Sequence, residues 1–167
     1  IPGTIEAEDF DPVGYYDATV GNEGGAYRTD VDVDIKPFGS GYAIGWMTAG
    51  EWLEYTVNVP AGGDYRAVLD AGAVEGGRTL ELSQCGISLT GPIPAPQIAA
   101  WGDMASTTAG PFHLDAGLQV IRVTVGASDY IDFDSMTFEV DTGGAGGSGG
   151  TGGSGGSSGA GGSSGAG

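Results

Sequence analysis

The sequence predicts an all-β fold, a β-sandwich, from three observations. The segment Trp52–Val59 alternates between apolar and polar side chains, which is the period of a strand with one face against a core. The turn Pro60–Gly63 separates it from Tyr65–Ala71, where the alternation resumes, so the two segments form a hairpin. A helical period is not evident in any window long enough to form a helix. Short strands separated by Gly and Pro are typical of a β-sandwich.

The first third of the chain is predicted to hold one strand, a loop and an acidic segment. Ile5–Glu8 alternates apolar and acidic residues and is predicted to be a strand with its two glutamates on one face. Asp11–Gly25 is Gly-rich and polar and is predicted to be a long loop. In Ala26–Ile35 aspartates alternate with aliphatic residues, which leaves open a row of metal-binding carboxylates on one strand face, formed by Asp30, Asp32 and Asp34.

The second half of the chain is predicted to add three more strands. Thr79–Ser83 is a short strand, and the Pro- and Gly-rich segment Gly86–Gln97 shows little periodicity. Trp101 follows in a loop. Leu118–Val125 is a strand, and Ile131–Val140 closes the domain with one face formed by Asp132, Asp134, Met136, Phe138 and Val140.

Composition divides the chain after Thr142. Residues 143–167 contain only Gly, Ala, Ser and Thr, whereas residues 1–142 hold every charged and aromatic side chain. We therefore predict one β-sandwich domain of residues 1–142 and a non-globular Gly/Ser-rich tail of residues 143–167. The tail repeats in triplets whose middle residue is always Gly, which favours a flexible linker. Because a three-residue period also fits a polyproline II-type helix, the alternative is a structural subunit that self-assembles through this tail into an extracellular filament or sheath.

The charge of the chain argues against two classes of partner. The formal net charge of −17 arises from 22 carboxylates against five Lys and Arg residues. We expect no nucleic acid and no anionic membrane as partner, because both are recognised by clustered basic residues. Excess carboxylate suits hard cations such as calcium, which take oxygen ligands. The lone Cys85 excludes an intrachain disulfide within this sequence, and we predict it to be buried near a strand end.

The sequence does not predict an enzyme. Residues 1–142 contain no GxSxG elbow, and no HExxH motif or phosphate-cradling loop before a helix occurs. The single histidine, His113, stands just before an Asp-Ala-Gly turn, where a surface residue is more common than a general base. We therefore expect no catalytic residues.

Five segments, in this order, resemble the family 6 carbohydrate-binding modules and the related family 35. They are IEAEDF (5–10), AYRTDVDVDI (26–35), YAIGWMTAGEWLEYTVNVPAGGDY (42–65), LDAGLQVIRVTV (114–125) and IDFDSMTF (131–138). The resemblance implies a jelly roll of two antiparallel sheets that binds a β-linked polysaccharide or oligosaccharide without cleaving it. It also implies a secreted, extracellular module that targets an attached glycoside hydrolase or another secreted domain to this glycan.

The resemblance implies a sugar site at the loop end of the sandwich. A sugar ring has an apolar face that stacks on an aromatic side chain and hydroxyl edges that need hydrogen bonds. Carried over to this chain, the site would consist of Tyr42, with Phe38 as its competitor, Trp101 and Asp132, where the family has Asn. An Asp accepts hydroxyl hydrogens but cannot donate as an amide does. Trp46 and Trp52 are expected to pack in the core, with a second site on a sheet face as the alternative for Trp46.

The resemblance also implies a structural calcium ion. Its ligands would be the carboxylates of Glu6, Glu8 and Asp134 and the backbone carbonyl of Arg28. These oxygen ligands would tie the first and last strands together. The same resemblance argues against the row of three aspartates as the metal site.

Overall fold

Residues 1–143, which the computed structural model describes, form two antiparallel β-sheets packed face to face. The predicted all-β sandwich is therefore confirmed. The elements are β1 (Gly3–Glu6), a 3₁₀ turn (Ala7–Asp9), β2 (Tyr15–Tyr16), β3 (Ile35–Phe38), β4 (Gly41–Met47), β5 (Trp52–Val59), β6 (Gly63–Gly72), β7 (Thr79–Gln84), β8 (Ile87–Pro94), β9 (Ala105–Leu114), β10 (Gly117–Val125) and β11 (Ile131–Val140). Apart from Gly143, the predicted tail lies outside the described residues. The predicted self-assembly through this tail therefore stays a prediction. Within residues 1–143 we find no helix that is long and apolar enough to cross a membrane.

The first sheet is organised around β11. Its strand order is β3-β4-β11-β6-β9, and β1 also pairs with β11. On one edge β11 pairs with β6, while its other edge is shared by two strands. β4 pairs with Ile131 and Phe133, and β1 pairs with residues 135–138. A gap therefore opens along this edge, where β1 ends and β4 begins. The second sheet has the order β2-β5-β10-β7-β8.

The core lies between the two sheets and follows the predicted alternation. Every second residue of β5 is buried, as expected, and β10 contributes a matching row to the same sheet. The opposite wall is formed by β4, β6 and β11. The largest fully buried side chains are Tyr55, Tyr65, Phe133, Phe138, Ile35, Ile44, Leu53, Leu69, Leu80, Leu82, Leu114 and Ile121. Burying an aliphatic or aromatic side chain of this size stabilises the fold by about 1.5–3 kcal/mol, so the two sheets are held together mainly by this layer.

A β-bulge interrupts the pairing of β4 with β11. Ile44 pairs with Phe133 and Met47 pairs with Ile131. Two residues of β4, Gly45 and Trp46, therefore lie opposite the one residue of β11 between those pairs, Asp132. A bulge inserts an extra residue and turns its side chain away from the regular pleat.

A second bulge lies on β11 itself. Phe133 pairs with Ala71 of β6 and Ser135 pairs with Asp70, so Asp134 is the extra residue. Met136 faces the core beyond the bulge and Phe133 faces it before the bulge. The prediction that alternate residues from Asp132 to Val140 share one face is therefore wrong, because the bulge shifts the alternation by one residue.

Four local predictions are corrected. β1 ends at Glu6 and continues into the 3₁₀ turn, so Ile5–Glu8 is not one strand. Residues 26–34 form no strand, and the three aspartates do not line one face; Asp32 and Asp34 instead accept backbone N–H groups of the preceding loop. Gly86–Gln97 contains a regular strand, β8. Cys85 is exposed rather than buried, in the turn between β7 and β8.

Candidate functional site

The bulge of β4 turns Trp46 out of the core. Its φ is 53°, in the left-handed region that bulky residues rarely adopt, and 45% of the residue is exposed. Core packing of Trp46 was therefore the wrong expectation. Strained backbone at an exposed aromatic residue persists only where surrounding contacts hold it, and such positions concentrate at functional sites.

Trp46 forms one wall of a cleft of about 290 Å³, which is lined by Trp46, Glu75, Trp101 and Tyr130. We call it the aromatic cleft. Trp101 is 47% exposed in the loop between β8 and β9, as predicted, and Tyr130 is 50% exposed just before β11. Tyr130 also has a left-handed backbone, with φ 69°, and its N–H donates to the Met47 carbonyl at 2.8 Å. Three aromatic rings from three separate segments thus converge on one opening.

Arg78 connects two of the loops that line the aromatic cleft. Its Nε donates to the Asp129 carbonyl at 3.0 Å, next to Tyr130, and its Nη1 donates to the Gly76 carbonyl at 3.1 Å. Its Nη2 lies 3.4 Å from the Glu75 carboxylate, which is more than half exposed. Arg78 therefore joins the loop that carries Glu75 to the loop that carries Tyr130, and Glu75 keeps free acceptor capacity at the cleft.

Asp132 does not line the aromatic cleft. The residue is 1% exposed, and its Oδ2 forms an ion pair with the ammonium group of Lys36. Its Oδ1 accepts a hydrogen bond from the Trp46 N–H at 3.3 Å. Asp132 therefore lies directly behind Trp46, with its carboxylate already engaged by protein groups.

Tyr42 and Phe38 also lie away from the aromatic cleft. Tyr42 is half-buried and stacks on Tyr27 with ring centroids 5.0 Å apart. Both Tyr42 and Phe38 line a different pocket of about 390 Å³, which includes the turn between β3 and β4. Of the four predicted sugar-site residues, only Trp101 borders the aromatic cleft. The predicted set lacked Trp46, Tyr130 and Glu75; Gly45 inside a strand was the available signal for the bulge that exposes Trp46.

The second pocket is acidic. Besides Phe38, Gly39, Ser40, Gly41 and Tyr42, it is lined by Glu6, Glu8 and Asp134, and we call it the acidic pocket. It lies at the gap where β1 ends and β4 begins beside β11, and the bulge of β11 directs Asp134 into it. Three of the four predicted calcium ligands therefore meet here, although Glu6 and Glu8 do so from a strand end and a 3₁₀ turn rather than from one strand face.

Burial and mutual repulsion disfavour the charged forms of two acids of this pocket. Burial raises the pKa of Glu8, and the charges of Glu6, Asp9 and Asp134 raise it further, against an opposing backbone hydrogen bond. Burial also raises the pKa of Asp134, followed by the charges of Glu6 and Asp70. Glu8 Oε2 is a buried side-chain oxygen with no hydrogen-bond partner in the described structure. An unpartnered buried carboxylate oxygen is costly, and a cation would remove that cost.

The fourth predicted ligand, Arg28, does not line the acidic pocket. Its carbonyl accepts hydrogen bonds from Asn22 Nδ2 at 3.2 Å and from the Val31 N–H at 3.5 Å. Its guanidinium group donates to the Phe10 carbonyl at 2.7 Å and stacks on the Phe10 ring. Across residues 1–143, no three acidic, His or Cys side chains stand in a ready-made coordination shell. The Arg28 carbonyl therefore stays a prediction as a metal ligand.

The sandwich is shared with solved carbohydrate-binding modules, and the fold is that of this class of protein. The module CsCBM6-3 from Clostridium stercorarium, solved with cellobiose, has a TM-score of 0.65 at 17% identity, over 83% of this chain and 93% of its own. A β-1,3-glucan-binding module from Bacillus halodurans has a TM-score of 0.61 at 19% identity, over 83% and 97%.

The family model "Carbohydrate binding module (family 6)" matches residues 22–140, so the chain belongs to this family of non-catalytic binding modules. The resemblance described from the sequence is thereby confirmed. Beta-agarase AgaO of Microbulbifer thermotolerans is 30% identical over 123 residues, which are 71% of this chain and 10% of the agarase. The chain thus spans about a tenth of the length of this curated relative.

Proposed function

We propose that this module binds a β-linked polysaccharide in the aromatic cleft and holds an attached glycoside hydrolase, or another secreted domain, on that glycan outside the cell. The observation that carries the proposal is the meeting of two exposed tryptophans and a tyrosine around one opening. Aromatic faces stack on the apolar face of a sugar ring, and the Glu75 carboxylate accepts hydroxyl hydrogens at its edge.

The relatives support the class of ligand and the attachment. Solved family members carry cellobiose, or are described as binding β-1,3-glucan, and another relative is an agarase of which this chain matches a small part. These ligands are neutral glycans, which is compatible with the −17 charge of this chain. The proposed role is therefore targeting, with the chemistry supplied by the attached domain.

A binding panel tests this proposal. The full chain is incubated with insoluble cellulose, β-1,3-glucan, agarose and xylan, and the bound fraction is measured after sedimentation. We expect depletion by one or two of these glycans, and clearly less depletion with Trp46→Ala or Trp101→Ala, in keeping with about tenfold weaker binding. Sedimentation of the chain without any glycan would instead favour the self-assembly alternative. The proposal would be overturned if the parent bound no neutral glycan, or if Trp46→Ala and Trp101→Ala bound the glycan as well as the parent does.

We propose in addition that the acidic pocket holds a structural calcium ion. Glu6, Glu8 and Asp134 would be its carboxylate ligands, and the unpartnered Glu8 Oε2 is the observation that supports them. The calcium ion would bring two positive charges to the three carboxylates, and such an ion takes about six to eight oxygen ligands. The carboxylates would then link the end of β1, the 3₁₀ turn and the bulge of β11 without taking part in sugar binding.

Thermal unfolding tests the calcium site. Calcium at 100 times its dissociation constant stabilises a protein by about 2.7 kcal/mol, which corresponds to a rise in Tm of roughly 8–10 °C for a domain of this size. We expect this rise in the metal-stripped protein, its loss in Glu8→Gln, and its retention in the control Asp115→Asn, whose side chain is 90% exposed. An unchanged Tm in the parent protein on adding calcium would overturn the site.

A further inference from the structure

The side chains behind Trp46 have no place in the sugar contacts proposed above. The Lys36 ammonium group is paired with Asp132 Oδ2 and lies 5.3 Å from the centre of the Trp46 ring. Asp132 Oδ1 accepts the Trp46 N–H. Trp46 therefore contacts both members of the pair, Asp132 through its backbone N–H and Lys36 through its ring.

The bulge explains why Trp46 needs such a partner. A bulge leaves the extra residue outside the ladder of backbone hydrogen bonds, and an unpaired buried N–H is costly. Asp132 is the residue opposite the bulge, so its side chain accepts the N–H that the neighbouring strand leaves unpaired. The carboxylate has a second oxygen for Lys36. An Asp can serve both groups, since both of its oxygens accept, whereas an Asn has one accepting oxygen.

Gly45 makes room for the lysine. A Cβ added at Gly45 would come within 3.1 Å of Lys36 Cδ, 3.2 Å of Lys36 Cε and 3.4 Å of Asp132 Oδ1. The lysine stem therefore crosses the strand over the glycine to reach Trp46 and Asp132. The side chains of Lys36 and Asp132 are 16% and 2% exposed, so the pair is shielded from solvent and salt far better than a surface ion pair.

We propose that Lys36 and Asp132 are positioning residues that hold the strained Trp46 backbone and aim its ring into the aromatic cleft. This inference rests on the proposed sugar-binding function for its consequence in affinity, but the orientation of Trp46 is independent of any ligand. Asp132 thereby acts on the glycan through Trp46, in place of the direct contact that the sequence predicted for it.

The test uses Lys36→Met, which keeps most of the stem and removes the charge, and Lys36→Arg, which restores it. The first readout is the indole N–H resonance of Trp46 in the folded protein without glycan. We expect Lys36→Met to shift and broaden this resonance and Lys36→Arg to restore it. The matched control is Arg66→Met, which breaks an exposed ion pair of the same sheet, Arg66–Glu139, and should leave Trp46 unchanged.

The second readout is affinity for the glycan that the binding panel selects. We expect Lys36→Met to weaken binding about tenfold, as loss of the Trp46 ring contact would, and Lys36→Arg to remain within about threefold of the parent. A merely structural pair would lower the Tm without moving the Trp46 resonance or the affinity of the folded protein. A folded Lys36→Met protein with an unmoved Trp46 resonance overturns the inference. If the parent binds no glycan, the proposed function fails, and the resonance still decides the inference.

Discussion

Replacing Trp101 by alanine should weaken glycan binding about tenfold. Trp101 is 47% exposed, and because a tryptophan offers at most about 250 Å², roughly 120 Å² of it is open to solvent. A sugar ring that stacks on one face covers about half of this, or roughly 60 Å². At about 25 cal/mol per Å² this contact contributes about 1.5 kcal/mol, which is about tenfold in Kd.

Isothermal titration calorimetry with soluble cello-, laminari- and agaro-oligosaccharides measures this loss. Trp101→Phe keeps a smaller aromatic face and should lose less than Trp101→Ala. The matched control is Trp52→Ala on the second sheet, where the Arg122 guanidinium lies 3.8 Å from the ring centre and covers it. The reasoning would be refuted if Trp101→Ala kept the affinity of the parent, or if Trp52→Ala lost it while remaining folded.

Three further changes test the core, a buried acid and the charge of the aromatic cleft. Leu82→Ala removes a fully buried side chain and should lower the free energy of unfolding by about 2–5 kcal/mol, measured by urea denaturation. The control Ile87→Ala, at an exposed position, should change this free energy by about 0.5 kcal/mol or less. Equal effects of the two substitutions would contradict the packing of the core. Burial raises the pKa of Asp34 above its ordinary 3.8. The folded state therefore holds the Asp34 proton more tightly than the unfolded chain does. This adds to the free energy of unfolding below pH 3.8, and the addition is lost as the pH rises through the raised pKa. Asp34→Asn should therefore increase the free energy of unfolding at about pH 7 but not at about pH 3. A loss of stability at about pH 7 would contradict this. Glu75→Gln should raise the ratio of the affinity for a carboxymethylated glucan to the affinity for the neutral glucan by up to about fivefold at low salt. The reason is that two unit charges 4 Å apart in water interact by about 1 kcal/mol. An unchanged ratio would show that Glu75 does not face the ligand.

The central strands of the fold were predictable because one face of each is buried. Period-two alternation in β5 and β10 is a direct consequence of this arrangement. β8 and β9 are edge strands, each with many exposed residues on both faces and with Pro and Gly in the strand. Edge strands carry such residues because they prevent pairing with other chains, and the hydrophobic period is lost in the process.

The candidate site was predictable only in part, because bulges decide it. Trp101 follows from its loop. Trp46 lies within a strand and was expected to pack in the core, but the bulge at Gly45 turns its side chain outward. Asp132 was expected to contact the sugar, whereas the structure places its carboxylate behind Trp46. The pairing of Lys36 with Asp132 joins residues 96 positions apart, and neither spacing nor composition indicates it.

The claim that the glycan lies in the aromatic cleft is tested most directly by the indole N–H resonances of the three tryptophans. The ¹⁵N-labelled full chain is titrated with the oligosaccharide that binds in calorimetry. Two of these residues, Trp46 and Trp101, line the aromatic cleft, and Trp52 lies on the second sheet. We predict that the resonances of Trp46 and Trp101 shift together with one dissociation constant while that of Trp52 stays in place. A shift confined to Trp52 would contradict the account and would place the glycan on the second sheet.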